Sequence, residues 1–231
     1  MKKKMVQWVM LLAVITVVSG SLSAQEEEGE AMGVNHLIYA YFSGTKKKPT
    51  DAEIDGFIAS VLSDEYARSR NNEFEWRTLW TKGISLLNEG IAGFDASKVY
   101  STMTRSSFSN YDFDKGGFAV GVTNSMSLST RLGNFTTVLT NNGDFDFLKM
   151  TPEEGNAFIK LRTSEYTNSV NRDIVLVVNF KFADYSNKTF QDLIRNRSGY
   201  YVHALIQSVD VYYIGNVWDG DLHYVGKLSK K

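Results

Sequence analysis

The residues with the clearest potential for chemistry lie in one turn near the carboxyl end of the chain. The stretch Asp219-Gly220-Asp221-Leu222-His223 places two carboxylates and an imidazole within five residues, and His203 lies in a strand-like run that precedes this turn. Carboxylates and imidazoles commonly act as general acids and bases or bind metal ions. Asp219, Asp221, His223 and His203 are therefore candidate catalytic residues at one end of a sheet. In the structural interpretation, His223 is a half-buried strand residue and the carboxylates are solvated.

Two Asp-x-Asp pairs, Asp112 with Asp114 and Asp144 with Asp146, lie in turn-like sequences. Residues two apart in an extended segment point the same way, so each pair can offer two oxygen ligands to calcium. Calcium takes about six to eight oxygens, and neither stretch continues with the distal Glu of an EF-hand loop. These four residues are candidate metal ligands, with solvated turn carboxylates as the default interpretation. No other cofactor is predicted.

The common catalytic signatures are missing from the sequence. It contains no Gly-x-Ser-x-Gly elbow, no phosphate-binding Gly-rich loop and no zinc-protease arrangement around its three histidines. It also contains no cysteine, which excludes disulfides, thiolate metal sites and a cysteine nucleophile. The residues therefore do not support the commonest hydrolase and nucleotide-binding classes.

The amino terminus has the pattern of a secretory signal peptide. Lys2–Lys4 form a basic head, Met5–Val18 form an apolar run of 14 residues, and Ser19–Ala24 form a tail of mostly small residues. The apolar run is shorter than the roughly 20 residues of a membrane-spanning helix. We expect residues 1–24 to be removed, with cleavage after Ser23 as the alternative. The mature chain should then be exported to the periplasm or the extracellular space without a stable membrane span.

The charge balance bears on the class of partner. Removal of residues 1–24 takes away three of the 25 basic side chains and leaves 22 against 26 acidic ones, a formal charge of −4 over 207 residues. A net negative charge argues against a nucleic-acid partner, and this length fits a single domain.

The last third of the chain reads as a sheet. Three strand-like runs, Arg172–Asp184, Gly199–Ile214 and Leu222–Leu228, follow one another, and the first alternates apolar core residues with outward ones. Between residues 113 and 148, short apolar runs alternate with Gly-containing turns, which indicates hairpins.

Two helices are predicted from their start signals. Thr50 with Glu53 and Thr151 with Glu154 have the spacing of capping boxes, and they precede helices expected over Asp51–Tyr66 and Pro152–Thr163. A shorter helix is expected over Thr189–Asn196. The predicted fold class is α+β: an antiparallel sheet built mainly from the C-terminal half and covered by the two amphipathic helices.

The remaining segments have weaker patterns. Residues 25–33 are acidic and are predicted to be a disordered leader before a single domain over residues 34–231. Val34–Phe42 is consistent with a strand or a buried helical turn, and we favour the strand. Glu73–Leu87 begins with aromatic residues at strand spacing before its pattern changes.

One set of motifs resembles a known group of proteins. Tyr111-Asp112-Phe113-x-x-x-Gly117-Phe118, then Met150 leading into Glu153-Glu154-x-x-Ala157, then Arg172 opening an apolar strand, resemble an uncharacterised family of exported bacterial proteins, a domain of unknown function. The resemblance spans Tyr111 to Phe182. It implies an exported domain and assigns no activity.

The sequence therefore favours an exported, non-catalytic domain that binds a partner protein, a glycan or another ligand. The alternative is a hydrolase whose site lies near Asp219–His223. The missing nucleophile signature favours binding, and the clustered acids and imidazole favour the enzyme.

Overall fold

The computed structural model describes residues 29–183, 199–215 and 221–231, and these residues form an α+β fold, as predicted. The described helices are α1 (Val34–Thr45), α2 (Asp51–Val61), α3 (Ser63–Ser69), α4 (Glu73–Ala92) and α5 (Pro152–Arg162). The described strands are β1 (Glu30–Ala31), β2 (Tyr100–Asp112), β3 (Gly117–Val120), β4 (Ser125–Thr130), β5 (Gly133–Leu139), β6 (Phe145–Lys149), β7 (Asp173–Phe182), β8 (Tyr200–Ile214), β9 (Leu222–Lys227) and β10 (Ser229–Lys230). Neighbouring strands pair antiparallel except β1 with β2 and β5 with β8.

Both predicted capping boxes are present. The backbone N–H of Thr50 donates to Glu53 Oε2 at 2.8 Å, and the Thr50 hydroxyl accepts from the Glu53 N–H at 3.3 Å. Thr151 and Glu154 make the same pair of bonds at the start of α5. The helix predicted over Asp51–Tyr66 is divided into α2 and α3, because Leu62 leaves the helical conformation (φ −116°, ψ 43°).

The segment Val34–Phe42, predicted to be a strand, is instead part of helix α1. Leu37, Ile38 and Tyr41 recur at helical spacing and are buried. The helix begins after Gly33, whose N–H donates to His36 Nδ1. A short run that is apolar on nearly every side satisfies strand and helix patterns equally, and tertiary packing decides between them.

The segment from Glu73, predicted to begin as a strand, is the 20-residue helix α4. The side chain of Asn72 caps it by accepting hydrogen bonds from the N–H groups of Phe74 and Glu75, at 3.1 and 3.4 Å. Trp76 and Trp80 lie one helical turn apart, with ring centroids 5.6 Å apart. The aromatic alternation that indicated a strand is coincidental, because Phe74 is 85% exposed.

Part of the predicted disordered leader is ordered in a strand. Glu30 and Met32 donate backbone hydrogen bonds of 2.9 Å to the carbonyls of Val99 and Ser101, which places β1 parallel to β2. Disorder was predicted from the acidic side chains of this segment, whereas a two-residue strand forms through backbone hydrogen bonds that do not depend on those side chains. The predicted helix over Thr189–Asn196 lies outside the described residues.

The strand pairings close into a ring at one end of the sheet. From β2 the pairing passes through β7, β8 and β9, and the chain then continues from β9 into β10. Strand β10 pairs with β6, β6 with β3, and β3 again with β2. Phe108, Phe118 and Leu176 are buried in the core, and Phe158 of α5 lies 5.0 Å from the Phe108 ring.

The other end of the sheet is open. There the order is β2–β7–β8–β5–β4, and β4 pairs only with β5 among the described strands. Helix α1 packs on β5 and β8, while α2 and α4 pack on α1 and on each other. Helix α1, which contains the segment predicted to be a strand, therefore packs most extensively on this part of the sheet, and α2 contacts it through the hydrogen bond from the Tyr200 hydroxyl to Glu53 Oε1. In the described ranges, no helix is long and apolar enough to cross a membrane.

Candidate functional site

The predicted site at the C-terminal turn is only partly visible, because Asp219 lies outside the described residues. His223 is exposed in β9 opposite Tyr213, and the two rings stack with centroids 4.8 Å apart. The backbone carbonyl of Asp221 accepts a hydrogen bond of 3.0 Å from the Gly215 N–H. Leu222 is itself 36% exposed, so this end of β9 offers no wall that excludes water.

The structure does not bring His203 to this turn. His203 is 3% exposed and lies opposite Val138 of β5, whereas His223 lies opposite Tyr213 of β8. Positions 203 and 213 are ten residues apart on β8, which corresponds to about 33 Å in an extended strand. The two imidazoles therefore cannot act in one site.

The carboxylate pair at Asp112 and Asp114 belongs to a turn. Asp112 Oδ1 accepts from the backbone N–H groups of Asp114 and Lys115, both at 3.0 Å. The hydrogen bond from the Lys115 backbone is the largest cause that holds the pKa of Asp112 below its usual value. This carboxylate therefore closes the link between β2 and β3.

The second pair, Asp144 and Asp146, holds the end of the chain. Lys231 Nζ pairs with Asp146, and the Lys231 backbone N–H donates to the Asp144 carbonyl at 2.9 Å. These contacts fasten β10 to β6. Over residues 29–183, 199–215 and 221–231, no group of three or more His, Asp or Glu residues is placed to hold a metal ion.

The motif residues around Tyr111 have structural roles. The Tyr111 hydroxyl donates to the Met150 carbonyl at 2.7 Å, and its ring lies so close to Gly155 that a Cβ there would be 2.6 Å from it. Gly117 has φ +156°, and a Cβ at that position would overlap the Leu148 carbonyl. Arg172 donates to Asn110 Oδ1 at 2.6 Å. These contacts fasten α5 and the ring of strands together.

A charged cluster fastens β1. His36 Nε2 lies 3.4 Å from Glu30 Oε1, and the same carboxylate pairs with Lys98. Burial lowers the pKa of His36 below its usual value of 6.5, although Glu30 acts in the opposite direction. The hydrogen bond from Lys98 likewise lowers the pKa of Glu30. The arrangement locks the start of the described chain to the base of α1.

A groove lies between the open edges of β2 and β4, and we call it the slot. It has a volume of about 390 Å³, and its walls include Thr102 and Thr104 of β2, Met126 and Leu128 of β4, and Thr137 of β5. The lining residues carry hydroxyl, thioether and aliphatic side chains, and none of them is charged.

Thr137 is the unusual member of the slot. It is 1% exposed, it lies opposite Met126 in the β4–β5 pairing, and its hydroxyl has no hydrogen-bond partner among the described residues. A buried hydroxyl without a partner costs about 1–3 kcal/mol, and most such groups in folded proteins are satisfied. The slot therefore contains a polar group whose partner is not supplied by this part of the chain.

A second hollow of about 450 Å³ lies between α3 and α4, where it is lined by Glu65, Arg68, Phe74 and Lys82 among others. Lys82 Nζ contacts both carboxylate oxygens of Glu65 at 2.8 Å, so the charges of these two lining residues neutralise each other. The hollow is open. Among the described residues, its lining contains no buried side-chain atom that lacks a hydrogen-bond partner, unlike the slot with Thr137. The slot is accordingly the better candidate.

Sequence reasoning missed the slot because its residues have ordinary types. The available signal was the placement of Ser and Thr at alternate positions: Thr102 and Thr104 share one face of β2, where apolar residues are expected to face a core. The sequence showed this segment to be rich in Ser and Thr, but spacing alone does not reveal which two strands meet.

Residues 50–161 match the model of a family described as a domain of unknown function (DUF4852). The match begins at the cap of α2 and extends almost to the end of α5, and it confirms the expected resemblance to an uncharacterised family. Comparisons with curated proteins and with solved structures find no match.

Proposed function

We propose that this chain is an exported, non-catalytic domain that binds a partner molecule in the slot between β2 and β4. The observation that carries the proposal is the buried hydroxyl of Thr137, which lacks a hydrogen-bond partner in an uncharged groove. A ligand atom that bonds this hydroxyl removes a cost that the free protein bears. The volume of about 390 Å³ also lies in the usual range of ligand sites.

Binding without catalysis fits the side chains of the slot. General acid–base chemistry needs a titratable group within hydrogen-bond reach of the reacting atoms, and the lining residues are Thr, Ser, Met and Leu. Hydroxyls without an adjacent base are weak nucleophiles. The slot is therefore suited to hold a molecule and has no evident means to transform it.

The hydrolase alternative near Asp219–His223 has less support. His203 is about 33 Å from the position opposite His223, and both Asp221 and His223 are exposed. The test is to replace Asp219, Asp221 and His223 together by Asn, Asn and Gln. We expect the melting temperature to change little and calcium or zinc to have no effect on either protein. A metal-dependent rise in the parent that disappears in the triple variant would support a metal-dependent enzyme.

Export is proposed from residues 1–24, which have the basic head, apolar run and small-residue tail of a signal peptide. The ligand would accordingly be met in the periplasm or outside the cell. A partner protein or a glycan fits these compartments, whereas the formal charge of −4 argues against nucleic acid.

The experiment blocks the slot with a charge. Met126→Arg and Thr104→Arg each place a guanidinium in one of the two opposite walls of the slot. Leu161→Arg is the control, because it adds the same charge at an exposed position of α5. The parent and the variants are checked by thermal melting and then probed with a random-peptide library and a glycan array. We expect a probe that binds the parent and Leu161→Arg but neither slot variant. Equal binding by the slot variants, or no binding of either probe to the parent, would refute the proposal.

A further inference from the structure

We infer that the ligand of the slot is an extended polypeptide segment that enters as an additional strand between β2 and β4. This inference rests on the proposed function and specifies the class of ligand. It starts from the backbone at the two edges of the slot, since an unpaired strand edge is a template for another strand.

The edge of β2 is unpaired over its middle. The Val99 and Ser101 carbonyls accept from β1, so the backbone groups of odd-numbered residues face away from β7. Strand β1 ends at Ala31, opposite Ser101, and the pairing with β3 begins at Phe108. The N–H and C=O groups of Met103 and Arg105 therefore face a gap in which no described strand lies.

The edge of β4 has the same property. The Asn124 carbonyl accepts from the Leu139 N–H at 2.9 Å, so backbone groups of even-numbered residues face β5 and those of odd-numbered residues face outward. The N–H and C=O of Ser125 are both bonded to the Thr123 hydroxyl. The corresponding backbone groups of Ser127 are left without a strand partner among the described strands.

A single inserted strand can satisfy both edges. A strand carries backbone donors and acceptors on its two sides, and neighbouring strands lie about 4.8 Å apart. Inserted between β2 and β4, it would close the order β2–β7–β8–β5–β4 into a second ring. The slot is thus the place of a missing strand.

The inner wall indicates the composition of that segment. Alternate side chains of an inserted strand would face Thr102, Thr104, Met126, Leu128 and Thr137. Small uncharged residues such as Ser, Thr, Ala and Val fit these neighbours, and a charged side chain would be desolvated without a partner. A glycan could bond the hydroxyls but would not match backbone groups spaced as in a ladder, so the observations favour a polypeptide.

The test starts with peptides enriched from a random decapeptide library by their binding to the parent and by loss of binding to Met126→Arg. Each backbone N–H of one such peptide is then methylated in turn. We expect losses of about tenfold or more at alternate positions, because each loss removes one hydrogen bond to a strand edge. The intervening amides face the opposite edge of the slot, so their methylation should also weaken binding, whereas methylation of residues beyond the slot should have little effect.

The protein side is tested at Ser127. Ser127→Pro removes the outward-facing backbone N–H of β4, and edge strands tolerate proline. Ser127→Ala keeps this N–H and removes only the side-chain hydroxyl. We expect Ser127→Pro to weaken binding at least about tenfold more than Ser127→Ala, with similar melting temperatures. Met103→Pro provides an independent variant on the opposite edge.

The outcomes separate this inference from the proposed function. If no peptide needs the slot but a glycan does, or if methylation and Ser127→Pro have no effect on a slot-dependent peptide, strand insertion is wrong and the slot is still a binding site. If every probe binds Met126→Arg as well as it binds the parent, the proposed function itself fails. A parent dimer in sedimentation velocity that Ser127→Pro abolishes would assign the slot to a second copy of the chain and overturn the inference of a separate partner.

Discussion

The imidazole of His36 caps helix α1 by accepting a hydrogen bond of 3.0 Å at Nδ1 from the backbone N–H of Gly33. This bond requires an unprotonated Nδ1, and burial lowers the pKa of His36, although Glu30 opposes the shift. Because the folded-state pKa is below that of the unfolded chain, the unfolded state takes up a proton first as the pH falls. The contribution of His36 to stability is therefore complete above about pH 6.5 and is lost as the pH falls below that value.

We predict that the free energy of unfolding of the parent decreases between pH 7.5 and pH 5.5 more steeply than that of His36→Gln. Glutamine lacks the titration but keeps an acceptor. Urea titration over this pH range measures the slopes, and equal slopes for the parent and His36→Gln would contradict the role of His36.

The start of α2 predicts two different losses of stability. Thr50→Ala removes the hydroxyl that accepts from Glu53 N–H and should cost about 1 kcal/mol. Phe57→Ala empties a position that is 0% exposed and should cost about 3 kcal/mol or more. Urea unfolding of both variants provides the comparison. A nearly neutral Phe57→Ala would show that this face of α2 is not packed as described.

The contact between α5 and Tyr111 can be tested with one added methyl group. Gly155→Ala places a Cβ about 2.6 Å from the Tyr111 ring and should destabilise the protein by about 1–3 kcal/mol, although Ala favours a helix more than Gly does. Gly143→Ala is the matched control, since a Cβ there meets nothing within 4 Å. Thermal melting of the two variants decides the point. Similar effects at both positions would contradict the close approach.

Local signals in the sequence were sufficient for several elements. The capping boxes at Thr50 and Thr151 predicted α2 and α5 because the bonds that define a helix start involve residues three apart. The alternating residues of β7 predicted a strand with a buried face because each neighbour in the pattern is two residues away.

The errors came from segments whose structure depends on distant residues. Helix α1 is enclosed by α2, α4 and the sheet, so its apolar residues lie on nearly every side and fit a strand pattern as well as a helical one. Likewise, the open edges of the slot belong to β2 and β4, and their approach depends on the pairing of β7, β8 and β5 between them. Thr137 was invisible for the same reason, since a threonine in a strand is ordinary until its partners are known.

Export predicts a definite mass for the mature protein. Cleavage after Ala24 should leave a chain that begins at Gln25 and is found in the exported fraction, because residues 1–24 have the signal-peptide pattern. Intact-mass spectrometry of that fraction measures the amino terminus. A mass that retains residues 1–24, together with recovery in the membrane fraction, would refute the proposed localisation.

The central claim is that a ligand bound in the slot supplies the hydrogen-bond partner that the Thr137 hydroxyl otherwise lacks. Its most direct test is urea unfolding of Thr137→Val, with and without a slot-dependent peptide, and with Thr136→Val as the control on the opposite face of β5. We predict that Thr137→Val alone gains about 1 kcal/mol of stability, because the buried hydroxyl has no bond to lose, and that the peptide then stabilises it less than it stabilises the parent. Loss of stability in Thr137→Val, with an undiminished effect of the peptide, would contradict the account.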